Sequence, residues 1–588
     1  MNFKRNLAVV VGINQYKNGI NPLQTAVPDA QKLSEILTEV HAYTLIHPEV
    51  DTNAAVLNTE ATLAGLRTLF SDVLPNRIRP NSYDRLFIYF AGHGITRQVD
   101  DQGPQGFLVP QDADTNDCSS LLPMSELYDA LNQLECRHLF VVLDCCFAGM
   151  FRWASTRKVV LVPDEIHWEH YHRFIKYPAW QVITSAAHNQ EALDYLDNRV
   201  SDDSAKHSPF AEALFEALLE QKADLVPDGV ITAAELYLYL RDYVEKNSNE
   251  QQTPGFWPLN KHDRGEYIFQ LVPEEQLTLK SAPKLEKDNN PYRGLESFDE
   301  KHAALFFGRE DVIDDLVTHI SAPGRQFIVV DGISGSGKSS LVKAGLISRL
   351  KEQHSSIWHV FAPIRPGTDA YHALASAILP AQTSPQDIQQ ASEALKTSPE
   401  TLSILMEAWS QLHPEKQLLL VIDQFEELIT LAPKPKKEPA QSRWNTITRG
   451  RRFEWQPPTQ DLETRPQWQV FTERLAQAIE SCSQLRILVT LRSDFAPRFQ
   501  VSALGSIWAD ARFLVRPMRS DELRQAVIGP ANEMALYFEP ANLADTLVDE
   551  VAQTPGALPL LSFTLSELYL KLYSEWNREG KEDRALAV

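Results

Sequence analysis

The chain has 588 residues, which is room for about three or four domains of ordinary size. Its 78 Asp and Glu residues outnumber 56 Lys and Arg residues, and the formal net charge is −22. A chain this acidic is a poor general binder of nucleic acid or anionic membrane, since neutralising phosphates requires surplus Lys and Arg. A hydrophobic content of 43% argues against wholesale disorder.

The five cysteines exclude a disulfide framework and a Cys-based zinc knuckle. Cys145 and Cys146 are adjacent, and the other three show no CxxC spacing. This usage fits a reducing compartment, so we expect a cytoplasmic protein. No apolar run approaches the ~20 residues of a spanning helix, and we expect no membrane partner. The N-terminal run 7–13 is predicted to be a buried strand rather than a signal peptide.

In residues 1–272, short apolar runs alternate with amphipathic stretches. Strands are predicted at 7–13, 85–92, 138–144 and 180–186, and helices at 30–40 and 125–134. This alternation predicts an α/β domain in which helices flank a mostly parallel sheet.

A histidine and a cysteine follow two of these strands. His93 lies between Gly92 and Gly94, and Cys146 lies 53 residues further along. Both therefore sit at strand carboxyl ends, the edge where open α/β sheets place their chemistry. The imidazole can take the thiol proton and later give a proton to a leaving amine. The N–H groups of Gly94 and Cys146 are the expected oxyanion donors.

This first region resembles the metacaspases and the related bacterial orthocaspases, which are cysteine peptidases of the caspase type. The matching motifs are D-x-C-x-x-G at 144–149, Gly-His-Gly at 92–94, Gly106–Asp112 and Thr184–Ala192, within about residues 5–270. The resemblance implies Cys146 as nucleophile, rather than Cys145, and His93 as base. It also implies an acidic S1 pocket for Arg or Lys, with its carboxylates on Asp29 and Asp144.

Several positions depart from the metacaspase pattern. Ala26 and Ala91 stand where Cys and Ser are common, and Phe147-Ala148 replaces His-Ser after the nucleophile. A calcium requirement stays open. Three alternatives also stay open: Asp144 as a structural carboxylate, a decayed and non-catalytic caspase-like fold, and self-cleavage after the basic residues Arg152, Arg157 and Lys158. A metal on His167, His170 and His172 is not favoured, because no second ligand cluster supports it.

Residues 273–290 are polar and are predicted to be a linker, and a second α/β pattern follows. Its expected strands are 326–331, 357–364, 417–423 and 485–492, within a domain at 291–516. A segment rich in Pro and charged residues, about 433–466, is predicted to be an exposed insertion. From about 517 to 588 the pattern is helical.

The sequence between Gly332 and Ser339 matches the P-loop pattern G-x4-G-K-[ST]. A predicted strand enters it and a helical run leaves it, as phosphate binding by backbone N–H groups requires. Lys338 adds a positive charge, and the Ser339 hydroxyl can ligate Mg²⁺. The predicted nucleotide-binding residues are Gly332, Ser334, Gly335, Gly337, Lys338, Ser339, Ser340 and Pro559.

The strand 418–423 ends in Asp423, a Walker B arrangement in which the carboxylate holds Mg²⁺. Glu426 or Glu427 is expected to polarise the attacking water, and the sequence does not choose between them. The alternative is that both are helix N-terminal acids. Arg492, at the tip of the next strand, is expected either to face the γ-phosphate or to form a surface ion pair.

Residues 290–575 resemble the STAND class of signal-transducing P-loop ATPases. The motifs are Asn290–Phe298, Phe307–Glu310, Gly332–Leu341, Asp423–Leu428 and the GxP-like Pro555–Leu561, whose Pro559 is expected near the base. The resemblance implies an ADP-bound resting state, ATP-driven oligomerisation and an effector–switch–sensor order. The chain ends at Val588 without the winged-helix part and repeat sensor usual in the class. We therefore expect a fragment, or a sensor on another polypeptide.

Together these motifs predict a caspase-like endopeptidase controlled by an ATP-dependent switch. The expected cofactors are ATP or ADP with Mg²⁺. The expected partners are protein substrates, further copies of the NTPase module and an unidentified trigger. By family analogy we expect a role in bacterial signalling, regulated cell death or antiviral defence. The alternative function is an ATP-regulated scaffold whose caspase-like part binds partners without cutting them.

Overall fold

The computed structural model describes residues 3–49, 52–78, 83–98, 104–146, 162–163, 165–186, 207–248, 251–431, 466–554, 556–579 and 583–587. Its contacts divide the chain into two units. The first unit contains residues 1–284, 531–542 and 583–587, and the second contains residues 285–530, 543–582 and 588.

The first unit is built on a seven-stranded sheet in the order β11-β9-β8-β4-β1-β2, with β3 also paired to β1. All these pairings are parallel except that of β11 with β9. The strands are β1 (Arg5–Gly12), β2 (Thr44–Leu45), β3 (Val56–Leu57), β4 (Asp84–Ala91), β8 (His138–Asp144), β9 (Ala179–Thr184) and β11 (Gly255–Pro258). The prediction of a mostly parallel sheet is confirmed.

Strands β4 and β8 are buried along their whole length because both faces of the sheet are covered. On β4, Leu86, Ile88 and Phe90 pack into one core, and Phe87 and Tyr89 pack into the core on the opposite face. This alternation follows from the two-residue period of a strand. A continuous apolar run is therefore what a doubly covered parallel strand needs.

The remaining elements of residues 1–284 are helices against these cores and two small antiparallel sheets. The small sheets contain β5 (Gly94–Gln98), β6 (Pro104–Leu108) and β7 (Leu122–Pro123), and β10 (Val230–Thr232) with β12 (Ile268–Gln270). The helices are α1 (Ala26–Glu35), α2 (Leu63–Thr68), α3 (Leu74–Arg77), α4 (Met124–Asn132), α5 (Trp168–Lys176), α6 (Pro209–Leu219) and α7 (Ala233–Asn247).

The second unit contains a five-stranded, fully parallel sheet in the order β14-β15-β16-β13-β17. Its strands are β13 (Phe327–Gly332), β14 (Trp358–Val360), β15 (Gln417–Ile422), β16 (Leu485–Arg492) and β17 (Arg512–Leu514). The strand predicted at 357–364 is shorter than expected, since Pro363 has no N–H for a ladder. Beyond it, Ile364 keeps only an isolated bridge to Ile422.

Helices surround this sheet. They are α8 (Glu310–Ser321), α9 (Lys338–Ser340), α10 (Ser348–Gln353), α11 (Ala370–Ile378), α12 (Pro385–Thr397), α13 (Thr401–Leu412), α14 (Glu427–Thr430), α15 (Gln467–Ser481), α16 (Ala496–Phe499), α17 (Gly505–Ala511), α18 (Ser520–Glu533), α19 (Leu543–Ala552) and α20 (Leu558–Glu579). A π-helical stretch, Leu341–Ile347, joins α9 to α10.

Two predicted segments differ from a simple reading of the sequence. Within the predicted linker 273–290, Leu277, Leu279 and Ala282 are buried, and the contact boundary falls after Lys284. The predicted helical segment 517–588 also contains two short paired strands, β18 (Tyr537–Glu539) and β19 (Ala585–Ala587), which group with the first unit. Among the described residues, no helix is both long and apolar enough to cross a lipid bilayer.

Candidate functional site

His93 and Cys146 leave the ends of two neighbouring parallel strands. Strand β4 ends at Ala91, which is in register with Asp144 at the end of β8. The backbone N–H of Gly92 donates to the Asp144 carbonyl oxygen at 3.3 Å. Parallel register therefore brings residues 92–94 and 144–146 to the same point of the sheet edge.

Gly94 lies against the backbone of Cys146. A Cβ at position 94 would stand 2.1 Å from the Cys146 carbonyl oxygen and 3.2 Å from Cys145 Sγ. The Val109 N–H donates to the His93 carbonyl oxygen at 3.0 Å, which makes His93 a hydrogen-bonded position of the β5–β6 ladder. In an antiparallel ladder the next residue turns its N–H outwards. The Gly94 N–H therefore points away from β6, as an oxyanion donor requires.

Two backbone contacts orient His93. Its Nε2 lies 2.8 Å from the carbonyl oxygen of Asn21, and its backbone N–H donates to the Tyr16 hydroxyl at 2.7 Å. A carbonyl oxygen only accepts, so Nε2 carries the proton in that bond and Nδ1 is the basic atom of the neutral ring. Sequence reasoning missed both partners. Asn21 acts through its main chain and leaves no signal in the sequence.

The two adjacent cysteines have different surroundings. Cys145 is buried in the core, and burial raises its thiol pKa well above the ordinary value. Cys146 is partly exposed at the end of the strand. An exposed thiol can reach a substrate and ionise, whereas a buried one stays protonated. The structure therefore places the more accessible sulfur at position 146, which sequence reasoning had assigned as the nucleophile.

The two predicted S1 carboxylates share a partner. Asp29, on α1, accepts the backbone N–H of Ser208 at 3.2 Å. Asp144 accepts the Ser208 hydroxyl at 2.9 Å and the Tyr89 hydroxyl at 3.4 Å. His207 Nδ1 stands 2.6 Å from Asp29 Oδ1. The structure thus brings two distant acids together around the N-terminus of α6, although sequence reasoning did not name Ser208.

Burial and mutual repulsion shift the titration of this pair. Burial raises the pKa of Asp144 to about 7, and the negative charge of Asp29 adds to the rise. Burial also raises the pKa of Asp29, against the opposing hydrogen bonds from His207 and Ser208. Among the described residues, His207 pairs with Asp29, whereas the side-chain partners of Asp144 are hydroxyl groups, so Asp144 is the acid suited to receive a cationic side chain.

Other predicted positions of the first region take no part in this cluster. Ala26 and Ala91 are core residues. His167 and His170 are buried, and their rings stack with centroids 5.5 Å apart. The following calls lie outside the described residues: Phe147, Ala148, the basic positions Arg152, Arg157 and Lys158, and the charged insertion within 433–465.

In the second unit, β13 leads directly into the P-loop. Gly335 and Gly337 have φ of +77° and +85°, a backbone conformation that favours glycine. The helical segment α9 starts at Lys338, whose Nζ donates to the carbonyl oxygens of Gly332 at 2.9 Å and Ile333 at 2.7 Å. Burial lowers the Lys338 pKa. The Lys338 ammonium is therefore hydrogen-bonded to carbonyl oxygens of the same loop that would bind the phosphates.

The Asp423 carboxylate has four polar partners among the described residues. It accepts the hydroxyls of Ser339 and Thr490, each at 2.7 Å. Lys343 Nζ lies 2.9 Å and Arg365 Nε 3.2 Å from its Oδ2. Burial favours the neutral acid, but the Lys343 charge and the hydroxyl hydrogen bonds outweigh it, so the Asp423 pKa is lowered.

The oxygens of Ser339 and Asp423 fit a magnesium ion, because a hydroxyl and a carboxylate stand side by side at the end of the P-loop. Sequence reasoning missed Lys343 and Arg365, the two cations that balance this carboxylate. Nothing in the spacing of those residues distinguishes them from other surface cations.

The three remaining predicted residues occupy different places. Glu426 lines the pocket described below, and burial raises its pKa. Glu427 instead accepts the backbone N–H of Gly367 at 3.0 Å. The Arg492 guanidinium bonds both carboxylate oxygens of Asp494, at 3.1 and 2.9 Å, although it also lines the pocket.

A pocket of about 500 Å³ lies over the P-loop, within the size range of nucleotide and other small-molecule sites. Its apolar wall includes Phe298, Phe306 and Phe307, and Pro559 stands near Gly335. The predicted residues that line it are Ser334, Gly335, Gly337, Lys338, Ser339, Ser340, Glu426, Arg492 and Pro559. Aromatic faces and phosphate-binding loop together can hold a base at one end and phosphates at the other.

Two family models match this chain. Residues 291–586 match Novel STAND NTPase 1, and residues 5–262 match the caspase domain. A curated probable protease of a Desulfuromonadales bacterium is 24% identical over 152 residues. That stretch covers 24% of this chain and 18% of the relative, so the chain spans under a fifth of the relative's length.

Two solved structures each align with part of the chain. The Drosophila initiator caspase Dronc aligns with a TM-score of 0.27 at 12% identity, covering 45% of this chain and 83% of its own. The ORC1 protein of Aeropyrum pernix, solved in complex with DNA, aligns with a TM-score of 0.31 at 14% identity. That alignment covers 50% of this chain and 66% of ORC1.

Replacing Gly94 by alanine tests the close approach at the sheet edge. The added Cβ would overlap the Cys146 carbonyl oxygen, so one of the two backbone segments must move. We expect Gly94→Ala to lower peptide hydrolysis at least about 100-fold, the order of loss for a displaced catalytic group. Peptidase assays measure this loss, and an unchanged melting temperature and circular dichroism spectrum of the variant control for folding. Activity within a few-fold of wild type would contradict the assignment.

Proposed function

The chain belongs to the Novel STAND NTPase 1 family and carries an N-terminal caspase domain, and from this premise we propose a nucleotide-switched cysteine endopeptidase. One observation carries the peptidase part of the proposal. Gly94 meets the Cys146 backbone at the ends of β4 and β8, and His93, the residue before Gly94, bonds the Asn21 carbonyl oxygen through Nε2.

The proposed reaction is hydrolysis of a peptide bond through a thioester. His93 Nδ1 takes the Cys146 thiol proton, and the thiolate attacks the peptide carbonyl carbon. The resulting oxyanion accepts hydrogen bonds from the N–H groups of Gly94 and Cys146. The imidazolium gives its proton to the leaving amine, and water then hydrolyses the thioester with His93 again as base.

The proposed P1 preference is Arg or Lys. Support comes from the paired acids Asp29 and Asp144, which are buried near the nucleophile and share Ser208. Asp144 immediately precedes the two cysteines, so a cation bound there lies close to the reacting bond. A basic P1 side chain would replace the missing positive charge, which is the strongest attraction that such a pair can offer.

The proposed switch is the P-loop unit. ATP would displace the Lys338 ammonium from the carbonyl oxygens that it now contacts and bring it to the phosphates. Mg²⁺ bound with the nucleotide would be held by Ser339 and Asp423, and it supplies neutralisation of phosphate charge. Glu426, which lines the pocket, is the better placed of the two glutamates to orient a water, since Glu427 is bonded to Gly367.

The wider role rests on family analogy. We propose that ATP-driven association of NTPase modules activates the peptidase, and that cleaved cellular proteins serve signalling, cell death or antiviral defence. The proposed setting is the cytoplasm, with the trigger on a partner.

Replacing each of the two adjacent cysteines in turn tests which one is the nucleophile. We expect Cys146→Ala to abolish peptide hydrolysis and labelling by a basic-P1 thiol-directed probe, because the reacting sulfur is lost. Cys145→Ala is the matched control, and since Cys145 is buried it should retain most activity. Equal labelling of both variants, or no labelling of wild type in any nucleotide state, would favour the non-catalytic scaffold.

The pH dependence of P1 selection tests the acidic pair. The Asp144 pKa is raised to about 7, so this acid is mostly neutral at pH 6 and mostly ionised at pH 8. The ratio of kcat/KM for P1 Arg over P1 citrulline should therefore rise up to about tenfold between those pH values. Titration of the shared His93 and Cys146 machinery cancels in this ratio.

Asp144→Asn should flatten that profile, whereas Asp72→Asn, a change at an exposed acid, should leave it intact. An Arg-to-citrulline ratio that does not change with pH in wild type would overturn the S1 assignment.

Three variants test the switch. Lys338→Ala should lose ATP binding, and with it the dependence of peptidase activity on ATP. Glu426→Gln should slow ATP hydrolysis at least about 10-fold while keeping binding, and so prolong the active state after an ATP pulse. Glu427→Gln is its matched control on the neighbouring residue. If the peptidase activity of the wild type does not depend on ATP, the proposed regulation is wrong, whereas the proposed peptidase activity is unaffected.

A further inference from the structure

The loop between α6 and α7 has the spacing of a cation-binding loop. Asp224, Asp228, Gly229 and Glu235 stand at positions 1, 5, 6 and 12 of a twelve-residue segment flanked by two helices. This is the arrangement of an EF-hand calcium loop, in which position 6 is glycine. Gly229 has a φ of +91°, so the sharp turn at that position is present.

Asp224 shapes the turn. Its two carboxylate oxygens accept the backbone N–H groups of Asp228 at 3.3 Å and Gly229 at 3.1 Å. These bonds fold the chain around the first carboxylate of the segment. The loop therefore encloses its own acidic side chains.

The other two acids each keep an oxygen without a partner. Asp228 Oδ1 accepts the Val230 N–H at 2.9 Å, but Oδ2 is buried with no hydrogen bond. Glu235 Oε2 accepts from the N–H and the hydroxyl of Thr232, each at 2.9 Å. Its Oε1 is buried without a hydrogen bond of good geometry, and the Val226 backbone N–H is its nearby donor. Asp228 is 6% exposed and Glu235 is fully buried.

Such orphaned oxygens are costly, because a buried carboxylate needs compensating hydrogen bonds or a positive charge. Within the described part of the chain, neither acid forms an ion pair with Lys or Arg. A bound cation would therefore supply the compensation that their unbonded oxygens lack.

A backbone oxygen also points into the loop. At the two ends of the β10–β12 ladder, the Leu271 N–H donates to the Gly229 carbonyl oxygen and the Ala233 N–H donates to the Tyr267 carbonyl oxygen. The odd-numbered residues of β10 are therefore the ones that bond to β12. Val230 therefore turns away from β12, and its N–H indeed reaches Asp228. Its carbonyl oxygen points the same way, since both groups of a strand residue share one side. This is the main-chain ligand expected at position 7.

We propose that residues 224–235 form a calcium site. Its ligands would be the carboxylates of Asp224, Asp228 and Glu235, the carbonyl oxygen of Val230 and water. Calcium suits the site because it takes six to eight oxygen ligands in flexible geometry. Position 3 is Val226, which offers no side-chain ligand, so the affinity should fall in the weaker part of the range for such loops.

In this structure the acids of the loop are not gathered around one point. Among the described residues, no three His, Cys, Asp or Glu side chains stand ready around a single metal position. Ion binding requires Glu235 to turn from its bonds with Thr232 towards the loop. A bidentate carboxylate there would close the site from the first turn of α7.

The position of the loop gives calcium a consequence for the proposed function. Helix α6 ends before the loop, and it begins after Ser208, whose hydroxyl caps the helix and bonds Asp144. Ordering one end of an eleven-residue helix limits the motion of the other end. We therefore expect calcium to steady the S1 acids, a consequence that rests on the proposed function, whereas calcium binding itself does not.

Calcium binding is measured on the full chain, freed of nucleotide and treated with EGTA. We expect one Ca²⁺ per chain by equilibrium dialysis and a melting temperature raised by at least about 3 °C at about 10 mM Ca²⁺. Asp228→Asn and Glu235→Gln should each lose both signals. Their calcium-free melting temperature should not fall, because each removes repulsion between buried acids.

Two controls locate the ion. Asp242→Asn, at an exposed acid on the same α7, should keep the calcium signals, as should Asp423→Asn in the nucleotide site. Should a variant fail to fold, wild-type dialysis with Mg²⁺ in place of Ca²⁺ still decides the ion preference. No binding by wild type, stronger binding of Mg²⁺, or undiminished Ca²⁺ binding by Asp228→Asn and Glu235→Gln would each overturn the site. Because Cys146→Ala should bind calcium normally, loss of the peptidase proposal would leave this result unaffected.

Discussion

Parallel pairing of strands in register is the constraint on which both candidate sites depend. In the first unit, the pairing of Ala91 with Asp144 puts Gly94 against the Cys146 carbonyl. In the second, Ile422 at the end of β15 pairs with Val489 of β16, so that the next residues meet and Thr490 can hold Asp423. Because parallel strands all end at one edge, residues far apart in the chain gain a shared position without any contact of their own. Burial of the apolar strands therefore positions both candidate sites. The apolar runs that fill the two cores also fix where the polar residues that follow them lie.

The sequence was sufficient where a pattern of side chains decides the structure. The predicted strands 138–144 and 485–492 coincide with β8 and β16, because a continuous apolar run has one stable place in a doubly covered sheet. It was insufficient where the main chain or a distant partner decides. The Asn21 carbonyl that orients His93, and Lys343 beside Asp423, belong to no spacing rule. Strand β14 is shorter than its apolar run predicts, because Pro363 lacks the N–H that the next hydrogen bond of the ladder needs.

The calcium loop shows a different division between sequence and structure. Its spacing, D-x3-D-G-x5-E over 224–235, is visible in the sequence, but it was not among the motifs from which a function was predicted. Spacing alone is weak, since acids and glycine are common in turns. The structure adds the decisive facts, which are the two unbonded buried oxygens and the outward turn of Val230. Those facts depend on the fold around the loop, above all on the pairing of β10 with β12.

The buried acids of this chain differ in whether a positive charge lies beside them. Asp423 has Lys343 and Arg365 beside it, and its pKa is lowered. Among the described residues, no Lys or Arg pairs with Asp144, and burial raises its pKa to about 7. An apolar residue in such a place is often neutral or stabilising, so stability alone gives little reason for an acid there. A site whose ligand brings the compensating charge does give such a reason, which supports a basic side chain at Asp144. At Asp228 and Glu235 the support for a cation is geometric, namely the buried oxygens without a hydrogen-bond partner.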